Sequence, residues 1–140
     1  MDLDIALAFA APRTHGTLVT IKRDGRPQLS NIAYTLDGSR VRISVTDDRA
    51  KTRNLRRDPR ASMHVGGDHF YAFVVLEGTV SISDVTTEPG DAVGRELAEI
   101  YETIAGAPHP DWDEFHQAMV SEGRVVLTFD VERAYGMIGG

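Results

Sequence analysis

The chain has 140 residues, which is the length of one domain whose hydrophobic core is large enough to fold without disulfide bonds or a structural metal. It has no cysteine, so disulfides, thiolate nucleophiles and cysteine metal sites are excluded, and its net charge of −6 argues against a general nucleic-acid-binding protein. No apolar run approaches the roughly 20 residues of a membrane span, and residues 1–4 are acidic, unlike a secretory signal. We therefore expect a cytoplasmic protein that binds neither nucleic acid nor membrane.

The first half of the chain is predicted to form strands joined by tight turns. A short amphipathic helix over residues 2–10 comes first and ends at Pro12. Asp24-Gly25 and Asp37-Gly38 are typical hairpin turns, which favour antiparallel pairing. The predicted strands are residues 14–22, 28–35, 40–45, 61–65 and 71–83, the last one interrupted at Glu77-Gly78.

The second half is predicted to form two helices and a closing strand. Apolar residues recur at helical spacing over residues 93–104, before Gly106, and over residues 112–119, between Asp111 as cap and Gly123. The last strand covers residues 124–131. Strands in sequence with helices inserted predict a small closed barrel, mainly β, in a single domain over residues 1–140.

A basic segment lies between the two groups of strands. Residues 49–60 carry six cations and one acid, a local charge of +5 on an acidic chain. Asp47 or Asp48 is a good N-cap and Pro59 prevents continuation, so we predict a short helix that begins near Arg49.

This helix is predicted to begin where the polar strand end Ser44-Val45-Thr46 stops. The positive end of the helix dipole, the Lys51 ammonium and the hydroxyls of Ser44, Thr46 and Thr52 would converge there. That is a physical arrangement for holding a phosphate. A plain basic surface helix is an equally weighted alternative, since charge runs on helices are common.

One strand is polar on both faces. Gln28 and Ser30 lie on one face and Asn31 on the other. The pattern fits either an edge strand with a solvated side or a set of donors and acceptors for a flat heterocycle. No zinc-helix spacing, dinucleotide loop, Walker loop or nucleophile elbow is present, so no metal site and no catalytic residue is assigned.

Two segments together resemble a known family. Residues 25–31 (GRPQLSN) and 50–60 (AKTRNLRRDPR) resemble the pyridoxamine-phosphate-oxidase-like split-barrel flavoproteins, in particular the actinobacterial branch that uses the deazaflavin coenzyme F420. The resemblance covers nearly the whole chain, including Glu77-Gly78, Trp112-Asp113 and residues 124–135. It implies a six-stranded antiparallel split β-barrel, FMN-binding-like, which forms a homodimer with two cofactor sites at its interface.

The resemblance also implies a set of site residues. The cofactor phosphate would lie against the strand end at residues 44–46 and against Arg49, Ala50, Lys51 and Thr52. Asn54, three residues after Lys51, is expected to reach the same site. Gln28, Ser30 and Asn31 would face the ring or its side chain, and Tyr71 would be a wall supplied by the partner subunit. Arg53, Arg56 and Arg57 would either meet the glutamyl tail of F420 or stay solvated.

The implied activity is that of an F420-dependent reductase, which transfers a hydride from the reduced deazaflavin to a small electrophilic acceptor. A proton would come from solvent, Tyr34, Tyr71 or His64. Two alternatives stay open: an FMN enzyme of the oxidase type, and a non-catalytic protein that binds a cofactor or small molecule.

Overall fold

The computed structural model describes residues 1–139, which form seven strands and four helices. In chain order these are α1 (Leu3–Ala10), β1 (His15–Ile21), β2 (Pro27–Ala33), β3 (Thr35–Asp37), β4 (Arg40–Thr46), α2 (Ala50–Arg57), β5 (Arg60–Gly66), β6 (Phe73–Ile82), α3 (Ala92–Ala105), α4 (Trp112–Glu122) and β7 (Arg124–Met137). Among them no helix is long and apolar enough to cross a membrane.

All seven strands belong to one antiparallel sheet, in the order β2-β1-β5-β6-β7-β4-β3. The sheet curls so far that β2, at one edge, contacts β4 near the other edge without pairing with it. The result is a split barrel, which confirms the predicted fold class. The barrel interior is filled by side chains such as Leu18, Ile43, Leu76 and Phe129, each at most 1% exposed.

The prediction of six strands was wrong by one, because the second predicted strand divides at Tyr34. The Tyr34 side chain is fully buried, its hydroxyl donates to the Ala10 carbonyl at 2.7 Å, and its backbone N–H donates to the Thr14 carbonyl at 2.9 Å. These bonds end β2, and the next residues form the short strand β3, which pairs with β4 across the Asp37-Gly38 turn.

The helix in the basic segment is confirmed, but neither predicted residue caps it. Arg49 occupies the N-cap position of α2 and gives no side-chain cap bond. Asp47 pairs instead with Arg56, and Asp48 accepts a hydrogen bond from the Thr46 hydroxyl at 2.8 Å. Both carboxylates are therefore engaged elsewhere, and the first turn of α2 keeps its N–H groups uncapped by any side chain of the described chain.

The long strands differ from their predicted limits at the ends. A turn closed by hydrogen bonds from Gly67 N–H to the Ala72 carbonyl (2.8 Å) and from Ala72 N–H to the His69 carbonyl (2.9 Å) delays β6 to Phe73. Strand β7 runs on to Met137 because its second half pairs with the first half of β6.

The predicted interruption at Glu77-Gly78 is a register shift between β6 and β7. A Cβ on Gly78 would lie 1.9 Å from the carbonyl oxygen of Asp130 on β7. The two backbones therefore approach closely enough at this bulge to require glycine.

Helices α3 and α4 cover the outer face of β4 and β7 and form a second, smaller core. Leu97, Ile100, Phe115 and Val126 are its buried members. Both helices have the predicted ends: the Asp111 side chain caps α4, while Gly106 and Gly123 end α3 and α4 in the left-handed conformation.

Candidate functional site

A cleft of about 420 Å³ opens where β2 comes alongside β4. The middle of β2 forms one wall and the end of β4 forms the opposite one, while α2, α3 and the first residue of β7 supply the rest. The lining residues are Ser30, Asn31, Ile32, Ala33, Ser44, Val45, Thr46, Arg49, Lys51, Ile100, Ile104 and Arg124. Seven residues of the predicted site are thus brought together. They come from β2 on one side of the split and from β4 and the start of α2 on the other.

Three cations lie in this cleft. Burial lowers the pKa of Lys51 below its usual range, and the positive charges of Arg49 and Arg124 lower it further. None of the lining residues is a carboxylate; outside the lining, Glu122 accepts a hydrogen bond from Nη2 of Arg124 at 3.0 Å. The cleft is therefore electropositive, and a bound anion would relieve the repulsion among its cations.

Arg124 is a site residue that sequence reasoning missed. It follows Gly123 at the start of β7, and the register of β4 with β7 places it opposite Thr46. Its Nη1 lies 3.5 Å from the Ser44 hydroxyl, whereas its Nε is buried and has no partner among the described residues. The Ser30 hydroxyl of the opposite wall is likewise buried and unpaired. Both atoms lie in the walls of the cleft without a partner among the described residues.

The start of α2 offers backbone donors beside these cations. Ala50 and Lys51 follow the uncapped Arg49, and the first N–H groups of an α-helix have no intrahelical acceptor. Thr52, predicted to offer its hydroxyl, is fully buried, and that hydroxyl donates to the Thr46 carbonyl at 3.0 Å. The hydroxyl of Thr52 therefore fixes the strand end to the helix and does not face the cleft.

Asn54 and Gln28 do not line the cleft either. Asn54 is 8% exposed; its Nδ2 donates to the Thr20 hydroxyl at 3.1 Å and its Oδ1 accepts from Arg57 at 3.0 Å. The Thr20 hydroxyl in turn donates to Oε1 of Gln28 at 3.1 Å. The expectation that Asn54 reaches the site was wrong, because the inner face of α2 packs against β1 and turns this amide toward the barrel.

The remaining polar strand residue does face the cleft. Asn31 lines it from β2, and its Oδ1 accepts a hydrogen bond from the Thr17 hydroxyl at 3.3 Å. The bond to Thr17 turns the oxygen away and leaves the amide N–H groups of Asn31 as donors. Val45 is 4% exposed, so its side chain belongs to the barrel core and only its backbone meets the cleft.

The arginines of α2 outside the cleft are held by their own chain. Arg53 donates to the Asp48 carbonyl at 3.2 and 2.7 Å, and Arg57 donates to the Ile21 carbonyl at 2.9 Å. With Arg56 paired to Asp47, all three of these arginines stabilise the ends of neighbouring strands and the loop before α2.

Two tyrosines considered as proton sources lie away from the cleft. Burial raises the pKa of Tyr34 to about 12, and its hydroxyl is bonded to the Ala10 carbonyl, so Tyr34 is not a proton donor in the cleft. Tyr71 is 67% exposed on the turn before β6 and does not line the cleft of its own chain. Its role as a cofactor wall requires a second copy of the protein.

Sequence and structure comparisons place this arrangement among known proteins. Residues 5–138 match the pyridoxamine 5'-phosphate oxidase family. The chain belongs to this family. The resemblance predicted from the two sequence segments is therefore confirmed for the family as a whole.

Solved structures with the same fold include proteins with different described roles. A conserved hypothetical protein from Mycobacterium tuberculosis shares 25% identity, with coverage of 100% of this chain and 93% of that one and a TM-score of 0.73. A protein described as an F420 reductase shares 22% identity over 91% of this chain and 94% of that one, with a TM-score of 0.67. A heme binding protein from Mycobacterium smegmatis shares 26% identity over 96% of this chain but 52% of that one, with a TM-score of 0.68. The fold is thus shared by a redox enzyme and a haem-binding protein.

Proposed function

We propose that this protein binds the deazaflavin coenzyme F420 in the cleft between β2 and β4 and acts as an F420-dependent reductase. The observation that carries the proposal is the convergence of Arg49, Lys51 and Arg124 beside the uncapped start of α2. This combination of fixed positive charge and free backbone donors suits the phosphate that F420 and FMN share.

The residues of the cleft fit distinct parts of such a cofactor. Arg49, Lys51 and Arg124 would hold the phosphate, with the Ser44 hydroxyl beside them, whereas the Thr46 hydroxyl donates to Asp48. On the opposite wall, the unpaired Ser30 hydroxyl and the Asn31 amide would bond the polar edge of the ring system.

When bound, the reduced deazaflavin supplies a hydride for an electrophilic small-molecule acceptor. The protein contributes by fixing ring and acceptor in contact and by excluding water from the cleft. Lys51 is assigned to the phosphate, so the proton comes from solvent or from a residue outside the cleft, such as the exposed His64.

The cleft residues do not distinguish F420 from FMN, because both cofactors carry the phosphate. The structure of a protein described as an F420 reductase favours F420. Arg53, Arg56 and Arg57 bond their own chain. The charge of the glutamyl tail therefore does not favour F420 over FMN. We therefore expect F420 molecules with long and short glutamyl tails to bind about equally, and FMN binding remains the alternative.

A titration of F420 and of FMN at identical salt tests the proposal, followed by oxidation of reduced F420 with a panel of quinones, imines and unsaturated lactones. Tight F420 binding with turnover of at least one acceptor supports it. Tight FMN binding with weak F420 binding would select the FMN enzyme, and F420 binding without any turnover would select the non-catalytic binder.

We further propose that two copies form a homodimer through the outer face of the sheet. Leu29, Tyr135 and Met137 are 58%, 52% and 57% exposed. The pairing of β2, β1, β5, β6 and β7 places Asn31 and Tyr135 in the same row across the sheet. The face that carries Tyr135 therefore continues from the edge of the cleft. The apolar residues of β6 do not supply this interface, because those such as Leu76 are buried within the chain itself.

Sedimentation should give about twice the chain mass of 15.4 kDa. Tyr135→Arg should give monomers that bind the cofactor less tightly, because the partner would no longer supply Tyr71. A monomeric parent with full cofactor affinity would contradict the shared site.

A second candidate function is haem binding. His15 and His64 both line a neighbouring pocket of about 470 Å³, which shares Asn31, Ile32 and Ala33 with the cleft. The His64 ring stacks on Phe73 there, with centroids 5.4 Å apart. Imidazole is a usual haem ligand, and one structural neighbour is described as a heme binding protein. A haem titration of the parent and of His64→Ala distinguishes this candidate, since haem bound through His64 would lose its ligand-dependent absorption in the variant.

A further inference from the structure

A second pocket, of about 240 Å³, lies between the α3–α4 pair and the outer face of the sheet. It joins the cofactor cleft, because Ser44, Ile100, Ile104 and Arg124 line both. The other lining residues are Leu97, Tyr101, Ala105, Phe115 and Met119. The cleft therefore has an apolar side chamber whose entrance carries a guanidinium.

The walls of this chamber differ in stiffness. Tyr101 packs against Phe115 with ring centroids 5.5 Å apart and against Trp112 at 6.2 Å, which makes one wall a fixed aromatic surface. Met119, from the last turns of α4, is an unbranched and polarizable side chain that adapts to what it contacts. Such a chamber suits a flat apolar group better than a polar one.

The volume limits the size of that group. A cavity of roughly 150 Å³ lined by apolar side chains binds benzene. The chamber of about 240 Å³ therefore has room for one ring with a small substituent.

The charge at the entrance selects the substituent. Arg124 is the one charged residue among those that line the chamber. Its Nη2 is bonded to Glu122, whereas its Nη1 makes only a long contact of 3.5 Å with the Ser44 hydroxyl. A carboxylate oxygen would accept a hydrogen bond from this guanidinium and would also meet the surplus positive charge of Arg49 and Lys51 nearby.

We propose that the chamber binds a small carboxylic acid that carries a single aromatic ring or an aliphatic group of similar size. The ring lies among Leu97, Phe115 and Met119, and the carboxylate accepts a hydrogen bond from the guanidinium of Arg124. This binding site goes beyond the proposed reductase activity and does not depend on which cofactor the cleft holds, so it can be measured without any cofactor.

The test uses benzoate as the probe and the four methionines of the chain as reporters. In protein labelled with ¹³C at the methionine methyl groups, each methyl gives a signal that a bound aromatic ring shifts. Met119 lines the chamber, whereas Met63 is fully buried in the barrel and Met137 is exposed on the outer face. The Met119 signal is assigned with Met119→Leu.

Benzoate should shift the Met119 signal in a saturable way, with a Kd on the order of 1 mM for a ligand of this size. Inorganic phosphate, which suits the cationic part of the cleft but has no ring, should leave that signal almost unmoved. A Met119 signal that benzoate moves no more than the Met63 signal would overturn the proposal, whatever the outcome of the F420 titration.

A pair of variants tests the role of the guanidinium. Arg124→Gln should weaken benzoate binding by roughly 10-fold or more, because it removes a charge-assisted bond, and should change binding of neutral benzamide much less. Arg133→Gln, at an arginine on the same strand whose side chain is 71% exposed, serves as the control and should bind benzoate like the parent. Equal affinity of the parent for benzoate and benzamide would refute the assignment to Arg124.

Discussion

Lys51 is the residue whose replacement tests the phosphate site most directly. It is half-buried at the start of α2, and both Arg49 and Arg124 are close enough to lower its pKa. Lys51→Ala removes one of three like charges from the cleft and leaves the helix intact, because alanine is the best helix former. We expect the variant to lose affinity for the cofactor without losing stability.

Lys51→Ala is expected to weaken cofactor binding but not to lower the free energy of unfolding. A hydrogen bond between an ammonium and a phosphate contributes about 1.5–3 kcal/mol, so F420 should bind roughly 10- to 150-fold more weakly. The free energy of unfolding without cofactor should stay the same or rise by up to about 0.5 kcal/mol, since repulsion from the two arginines disappears.

The chain offers a matched control, because its only other lysine is Lys22. Lys22 lies exposed at the turn between β1 and β2 and does not line the cleft, so Lys22→Ala should leave cofactor affinity at the parent value. Fluorescence titration of F420 at one fixed salt concentration, together with urea denaturation of each apoprotein, gives both quantities. Unchanged F420 affinity in Lys51→Ala, or an equal loss in both variants, would refute the phosphate assignment.

The pH dependence of folding gives an independent check. The pKa of Lys51 in the folded protein lies below its ordinary value of 10.5, so in the interval just below that value the unfolded chain binds more protons than the folded chain. Stability contributed by this group therefore rises with pH through that interval. The rise should appear in the parent relative to Lys51→Ala in urea denaturation, and a difference that stays flat with pH would contradict both the burial of Lys51 and its repulsion by Arg49 and Arg124.

Three further substitutions test structural roles by urea denaturation. Asn54→Ala should lower the free energy of unfolding by about 1–3 kcal/mol, because the buried Thr20 hydroxyl loses the amide that donates to it. F420 affinity should stay near the parent value, and a selective loss of affinity would show that Asn54 belongs to the site. Gly78→Ala should cost more than about 2 kcal/mol, because its Cβ would overlap the Asp130 carbonyl at the bulge, and a neutral effect would disprove that close approach. Asp91→Ala should cost about 0.5–2 kcal/mol, because it removes the side chain that caps α3. Hydrogen bonds, above all the one from the Thr86 hydroxyl, lower the pKa of the Asp91 carboxyl, so its contribution to stability is present above pH 3.8 and is lost as pH falls below that value. The same loss of stability in acid for parent and variant would contradict this.

The sequence predicted the parts of the site that depend on local pattern. The hairpin turns, the alternation along residues 40–45 and the short basic helix before Pro59 each follow from neighbouring residues, and the structure confirms them. Ser44, Thr46, Arg49 and Lys51 were identified for this reason, since they lie within one strand–helix connection.

The parts that sequence reasoning missed depend on long-range register and on which helix face is buried. Arg124 enters the cleft only because β7 pairs with β4 so that it lies opposite Thr46, and no local pattern reveals that pairing. Asn54 was assigned to the cleft by its spacing from Lys51, but the Thr20 hydroxyl in the barrel binds it from the other side. A polar residue on a buried helix face looks the same in sequence whether its partner is a ligand or a buried hydroxyl.

The order of strands in the sheet has a consequence for how the protein acquires its site. In the described part of the chain, β7 is the one strand whose hydrogen bonds join the four strands β2-β1-β5-β6 to the pair β4-β3. Ser30 and Asn31 belong to the first group and Ser44 and Thr46 to the second, so the two walls of the cleft have no sheet connection until β7 has been synthesised and inserted between β6 and β4. Such distant pairings fold slowly, and during translation the earlier strands expose unpaired edges. The cleft therefore cannot form until the last strand of the chain has been made.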